Sequence, residues 1–272
     1  MEAEAFAIAR GDGRYSLNKI SRGPWDADSL HARVLAGLFG HELETNWSHG
    51  GFHCARMTLD LYRLPSLAPC EIAVRPVRDG NRIRVIELEY TSGGTSFARA
   101  NAVLLKQTDN PPGERWSPPA WEVPAPEALP APEPQPEAVP NWIPMWETRR
   151  ISERPGAKLE PQRAWIRETR PLIDGVELTP FVRAASAADW TNPFANWSTD
   201  GLHFINADIT LYLHRYPEGE WLGFEVSSHH SAEGIAVGDC TMYDQQGAIG
   251  HSLVCAISNQ RREPRGVPPA AP

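Results

Sequence analysis

Thr58-Leu59-Asp60-Leu61-Tyr62-Arg63-Leu64-Pro65 returns later in the chain as Thr210-Leu211-Tyr212-Leu213-His214-Arg215-Tyr216-Pro217, with Ala55 matching Ala207 on the same offset. Each copy reads as a long strand that opens a run of further strands, so one supersecondary unit is used twice. Two similar halves put their mutual interface at the centre of the molecule, where a ligand can be enclosed.

Between the copies, residues 111–144 hold nearly half of the 26 prolines. Such a tract forms neither helix nor sheet. It is expected to run as extended polyproline II, a semi-rigid and largely exposed spacer whose Trp116, Trp121, Trp142 and Trp146 rest its ends on a surface. The chain therefore divides into a first domain at 1–110, a linker at 111–150, a second domain at 151–262 and a tail at 263–272.

Either side of the linker the order of elements is the same. In the first half, short strands at 6–8 and 14–20 flank the Gly11-Asp12-Gly13 turn. A helix then presents Leu30, Val34, Leu35, Leu38 and Phe39 on one face, and strands follow at 53–63, 70–78, 82–91 and 96–106. In the second half, a strand at 162–169 precedes a helix opened by Thr179 as N-cap and Pro180 as first helical residue, running to about Asp189. Strands at 203–215, 221–229, 234–243 and 248–258 complete it. Strand, helix, then an antiparallel meander, done twice, is an α+β fold in which each sheet wraps its own long helix.

Composition narrows the function. A net charge of −8 over 272 residues argues against a nucleic-acid partner, which needs a basic field. No segment approaches membrane-spanning length and the N-terminus has no basic-then-apolar leader, which predicts a cytoplasmic protein without a membrane partner. Cys54, Cys70, Cys240 and Cys255 are widely spaced with no Cys-x-x-Cys pair, so neither a metal site nor a disulfide framework is expected. His229 and His230 point to opposite sides of a strand and cannot share a metal. The absence of Gly-x-Ser-x-Gly removes the nucleophile-elbow hydrolases.

One acidic residue is out of place. Phe181, Val182 and Ala185 mark the inward stripe of the second helix, and Asp189, four residues beyond Ala185, shares it. A carboxylate there is a general base in a pocket, a structural acceptor satisfied by neighbours, or, should the helix end early, a solvent-facing cap. Asn206 and Asp208 alternate with Ala207 and so share one face of an otherwise apolar strand. They are either site residues or a polar outward face.

The order of elements, with Gly23-Pro24-Trp25-Asp26, Val77-Arg78-Asp79-Gly80-Asn81, Trp165-Ile166-Arg167 and Asn206-Ala207-Asp208-Ile209-Thr210-Leu211, resembles the double-hotdog acyl-CoA thioesterases of the thioesterase II type over nearly the whole chain apart from the linker. The resemblance implies two fused hotdog domains with one continuous sheet, hydrolysis of acyl-CoA or acyl-carrier thioesters, and no metal or organic cofactor. It also leaves a homo-oligomer open.

Family members activate water with an Asp near the end of the second helix, a Thr or Asn on the next strand and a Gln on the last strand. Asp189 and Asn206 match the first two. The third position falls on Val254 or Cys255, and the nearest glutamine, Gln260, lies past the strand. Relatives tend to open the first helix with Gly-Gly, where this chain has His31-Ala32, so His31 and Cys255 are expected to border the substrate. Cys255 reads as a small buried residue or, given a histidine partner, a nucleophile. Arg78 and Arg82, with Arg84 beside the Asp79-Gly80-Asn81 turn, are either solvated hairpin charges or the groups that hold coenzyme A phosphates. Thioester hydrolysis by an Asp-activated water is the leading activity. A dehydratase, isomerase or cyclase acting on a carrier-bound polyketide or acyl chain, and a non-catalytic acyl-binding protein, are the rivals that the missing Gln and the changed His31-Ala32 admit.

Overall fold

The computed structural model describes residues 4–26, 28–132, 146–153 and 157–259. The expected tail, Gln260 and Trp142 lie outside the described residues. The first half consists of strands β1 (Ala7–Ala9) and β2 (Arg14–Leu17), helix α1 (Ala32–Trp47), and strands β3 (Phe52–Asp60), β4 (Cys70–Asp79), β5 (Ile83–Ser92) and β6 (Thr95–Lys106). The second half has β7 (Trp146–Arg150), β8 (Arg163–Glu168), α2 (Pro180–Ala187), α3 (Thr191–Asn196), β9 (Trp197–Ser198), β10 (Gly201–Leu202), β11 (Phe204–Asn206), β12 (Asp208–Leu213), β13 (Trp221–Ala232), β14 (Ile235–Asp244) and β15 (Gly247–Ser258).

One antiparallel sheet runs β1-β2-β4-β5-β6-β3-β12-β15-β14-β13-β8-β7, with β11 also pairing with β15. Read outward from its centre, this order is a mirror: β3 answers β12, β6 answers β15, and so on to β1 and β7 at the edges. Thr58 pairs with its own repeat partner Thr210, their hydroxyls 3.2 Å apart, so a pseudo-two-fold axis passes between them. This is the fused double hotdog that the family resemblance implied. Strand β7 was not expected, because it lies within 111–150, where proline density masks it.

The repeat extends to a local irregularity. Ala55 sits at a bulge where the pairing of β3 with β6 shifts between Cys54 and Arg56. Ala207 does the same on the other side, where the partner of Asn206 is Ala256 but that of Thr210 is Leu253. A bulge turns the side chains after it to the opposite face. Asn206 is therefore buried while Asp208 belongs to the outer set, and Ile209, Leu211 and Leu213 point inward. The expectation that Asn206 and Asp208 share one face fails for this reason.

The two helices lie antiparallel in the concave face. Their close approach requires small residues: a Cβ at Gly37 would stand 2.2 Å from Ser186 Oγ, and one at Gly40 3.1 Å from the Ala185 Cβ. The apolar stripe of α1, with Val34, Leu35, Leu38, Phe39 and Leu43 fully buried, fills the space beneath the sheet. In the second half, Thr179 caps α2 by accepting the Val182 N–H. The helical path then continues past Asp189, through a 3-10 turn at Ala188–Trp190 into α3, rather than ending there.

Residues 111–120 of the linker are exposed, as a spacer would be, and Trp116, expected to rest on a surface, is 87% exposed; the segment from Trp121 to Pro126 docks. Trp121 stacks on Tyr243 at 4.0 Å and meets Trp165 edge-on at 5.0 Å, in a notch that exists because Gly223 has no side chain. The Trp165 indole N–H donates to the Pro124 carbonyl, and Pro126 is buried. Proline removes ladder hydrogen bonds, yet nothing prevents interspersed rings from docking. Trp121→Ala is expected to lower stability by about 3 kcal/mol in urea unfolding, as for other large-to-small replacements at packed aromatic sites. A change below about 0.5 kcal/mol would restore the picture of a loose spacer.

Asp244 anchors the β14–β15 turn. It forms a bidentate pair with Arg215 at 2.5 and 2.6 Å and accepts the Glu218 and Gln246 amides, each at 2.8 Å. Burial opposes its charge, but Arg215 and the two amides outweigh burial and hold its pKa below the ordinary carboxylate range. A depressed carboxylate stabilises the fold fully above its unfolded value, about 3.9, and that stabilisation is lost as pH falls through the folded value. Asp244→Asn should therefore cost about 2 kcal/mol at neutral pH, less than a fully buried pair because Arg215 still reaches solvent, and should flatten the acid limb of the stability profile below about pH 4. An unchanged acid limb would assign that limb to other carboxylates.

Candidate active site

The antiparallel crossing brings the N-cap of each helix to a carboxylate of the other. At one end the Thr179 hydroxyl donates to Glu44. At the other, His31 caps α1, its Nδ1 3.3 Å from the Arg33 amide and 3.1 Å from Asp189 Oδ2. Asp189 Oδ1 accepts from Asn206 Nδ2 at 3.2 Å. The carboxylate side chain is 8% exposed and that of His31 23%. Asp189, Asn206 and His31, three residues singled out in the sequence, thus meet at one point.

Several neighbours fix this turn. Ser252, fully buried on β15, donates its hydroxyl to the Ala188 carbonyl at 2.9 Å and so holds the 3-10 turn that carries Asp189. Sequence reasoning missed it, although a serine among the apolar residues of that strand was the available signal. Beyond Asp189, Asn192 donates to the Phe204 carbonyl, Asn196 to Asn192, and His229 Nδ1 lies 2.8 Å from Asn196 Oδ1. This chain of amides seats α3 under the sheet.

Arg33 was also missed. Its guanidinium is buried, ion-paired with Glu168 of β8, and 3.6 Å from the centre of the Trp146 ring of β7. It ties the first turn of α1 to the second hotdog. Burial pulls its pKa down to about 9, an effect that attraction to Asp189 opposes, so it stays charged at neutral pH.

The mirror-related end is closed. Cys54 stands where Asn206 stands in the other half, and its amide donates to the Tyr216 hydroxyl at 2.9 Å. Tyr216 in turn stacks on His53 and packs near Phe181. Among the described residues, Glu44 has a hydroxyl beside it but no amide partner like Asn206, so one of the two pseudo-equivalent ends is equipped and the other is filled.

Two sets of expected residues lie elsewhere. Arg84 binds the Trp47 and His49 carbonyls, which fixes the Arg78–Arg82 hairpin at the C-terminal end of α1, about 24 Å of helix from His31. Cys255 lies on the strand that pairs with β11, but its side chain alternates with the buried Val254 and Ala256, and its amide donates to Asp208. Burial, with Asp208 adding to it, pushes the thiol up to about 11, so it is protonated at neutral pH and unsuited to nucleophilic attack. Among the described residues no group of three or more His, Cys, Asp or Glu is placed to hold a metal ion, and no helix is long and apolar enough to cross a membrane. Two surface hollows, of about 280 and 450 Å³, lie outside this cluster. The smaller is lined by Tyr62, Arg63, Thr95, Ser96 and Arg99, the larger by residues that include Asp12, Glu42, Trp47 and Glu71.

Known proteins with the same architecture agree with the two-fold plan. The N-terminal domain model of the acyl-CoA thioesterases matches residues 21–105, and their C-terminal domain model matches residues 123–253. Among solved structures, the tesB protein of Mycobacterium avium subspecies paratuberculosis is 16% identical, with a TM-score of 0.69 over 93% of this chain and 95% of its own. An acyl-CoA thioesterase II, TesB2, from Mycobacterium marinum is also 16% identical, with a TM-score of 0.63 over 96% and 97%. A protein of unknown function with the hotdog fold from Alicyclobacillus acidocaldarius reaches a TM-score of 0.74 at 14% identity over 93% and 96%. No curated protein sequence matches the chain. Because both halves match the paired domains of one family, in order, the chain belongs to the double-hotdog acyl-CoA thioesterases, which are thioester hydrolases.

Proposed function

We propose that the chain hydrolyses acyl-CoA thioesters with a water activated at the cluster of Asp189, Asn206 and His31. The observation that carries this reading is the buried carboxylate of Asp189, placed where the two hotdogs meet and bonded to an amide from one side and an imidazole from the other. Asn206 holds that carboxylate in place, and the cluster as a whole can take a proton from water. The first turn of α1 has backbone N–H groups without helical partners, suited to the oxyanion that forms at the thioester carbonyl. For the phosphates of coenzyme A, Arg63 is better placed than Arg78 or Arg82. Leu61 donates to the Ala207 carbonyl, next to Asn206, and Pro65 accepts from Leu30, next to His31, so the segment carrying Arg63 borders the cluster.

A second reading, dehydration or isomerisation of a carrier-bound acyl chain, draws on the facing imidazole and carboxylate, which together could also move a proton on carbon. Release of free thiol from acetyl-, octanoyl- and palmitoyl-CoA separates the two. Hydrolysis frees one thiol per turnover, whereas dehydration and isomerisation leave the thioester whole.

A further inference from the structure

We infer that His31 carries the proton of the attacking water, with Asp189 holding its imidazole in the tautomer that permits this. The inference rests on the hydrolysis reading above and names the group through which Asp189 acts.

The argument starts from one nitrogen with two neighbours. His31 Nδ1 lies 3.1 Å from Asp189 Oδ2 and 3.3 Å from the Arg33 amide nitrogen. A ring nitrogen bears either a proton or a lone pair, so it cannot donate to the carboxylate and accept from the amide at once. Two lone pairs facing each other at 3.1 Å would repel; a proton must lie between the nitrogen and the carboxylate. An ionised carboxylate only accepts hydrogen bonds, so that proton belongs to Nδ1. The lone pair of neutral His31 is then on Nε2. Releasing the Arg33 amide from Nδ1 also returns one first-turn N–H to the set available for an oxyanion.

Asp189 has little freedom to act alone. Asn206 takes Oδ1 and His31 takes Oδ2, and its side chain is 8% exposed against 23% for His31. The imidazole is the part of this pair that a water molecule reaches more readily. The step balances without any co-reactant. Nε2 takes a proton from water as the water oxygen bonds to the thioester carbon and the carbonyl electrons move to oxygen. When the oxyanion collapses, the carbon–sulfur bond breaks and the imidazolium returns the proton to the leaving thiolate. Acid and thiol are the products, and His31 and Asp189 end as they began.

The test combines kinetics with a substrate-free measurement. Glycine is an acceptable N-cap, so His31→Gly should fold. Its turnover of octanoyl-CoA, followed by thiol release, should fall by on the order of a hundredfold and recover several-fold with added imidazole. His31→Gln, which keeps side-chain bulk, should be equally slow and gain nothing from imidazole. Independently, nitrogen-15 spectra of the imidazole, assigned by its loss in His31→Gln, should show the Nδ1–H tautomer in the wild type and the Nε2–H tautomer in Asp189→Asn. Wild-type hydrolysis with an unimpaired His31→Gly variant would overturn the role of His31 and leave hydrolysis standing. An unprotonated Nδ1 in the neutral wild-type ring would overturn it whatever the kinetics. A wild type that releases no thiol from any acyl-CoA would defeat the hydrolysis reading and this proton transfer with it.

Discussion

Arg33→Met is expected to destabilise the protein by about 4 kcal/mol, because it leaves a buried carboxylate without its counter-charge. Arg33 and Glu168 are both nearly inaccessible, with side chains 1% and 7% exposed. The methionine can keep the apolar contact with Trp146 and Phe6 that the arginine now makes. What it cannot replace is the charge. Among the described residues, Glu168 would retain the Thr169 and Arg170 amides, at 3.0 and 3.3 Å, as donors. Removing the carboxylate as well, in Arg33→Met with Glu168→Met, should recover most of the loss, since replacing both members of a buried pair by apolar groups is often close to neutral. Urea unfolding of the wild type, both single variants and the double variant gives the coupling directly. An Arg33→Met variant within 1 kcal/mol of the wild type would show that the backbone amides suffice to hold the carboxylate.

The architecture was legible because the repeat and the alternation of apolar residues both act locally. Thr58–Pro65 and Thr210–Pro217 marked the two central strands, and the structure pairs them through Thr58 and Thr210. Strand β7 could have been found by the same logic. The first half has two short strands before its helix, so the second half needed one more than 162–169, and Trp146–Arg150 was the apolar and charged segment available. Proline density around it hid the signal. The bulge at Ala207 also had its mark, since the repeat matched Ala55 with Ala207, and yet a strand read without pairing partners has no register in which an extra residue can show.

Within the site, Asp189 and Asn206 could be read because each is polar where its element is apolar. The contact between His31 and Asp189 could not. It depends on the antiparallel crossing of two helices from different halves, set by how closely Gly37 and Gly40 let them approach. Arg33 carried no mark of its own in the sequence, because its burial depends on where β7 and β8 place Trp146 and Glu168. For the linker, the docking of Trp121 was legible, but not the notch at Gly223 that it fills, nor that Trp116 stays exposed. Only a structure shows which glycine faces which ring.

Asp189→Asn is expected to keep the fold and acyl-CoA binding while slowing turnover by on the order of a hundredfold or more. The amide has the carboxylate's shape. Its oxygen can still accept from Asn206, and its NH₂ can donate to His31 Nδ1. That rearrangement satisfies every partner but moves the histidine's proton to Nε2, so neither residue is left able to accept from water. Asn206→Ala should cost less, about tenfold, since it removes one orienting hydrogen bond and no base. The most direct test of the account is thiol release from acyl-CoA by wild type and Asp189→Asn, compared at matched saturation with substrate. Rapid release by the wild type with the variant at least about a hundredfold slower is the predicted result; equal rates would contradict the placement of Asp189 at the reacting centre.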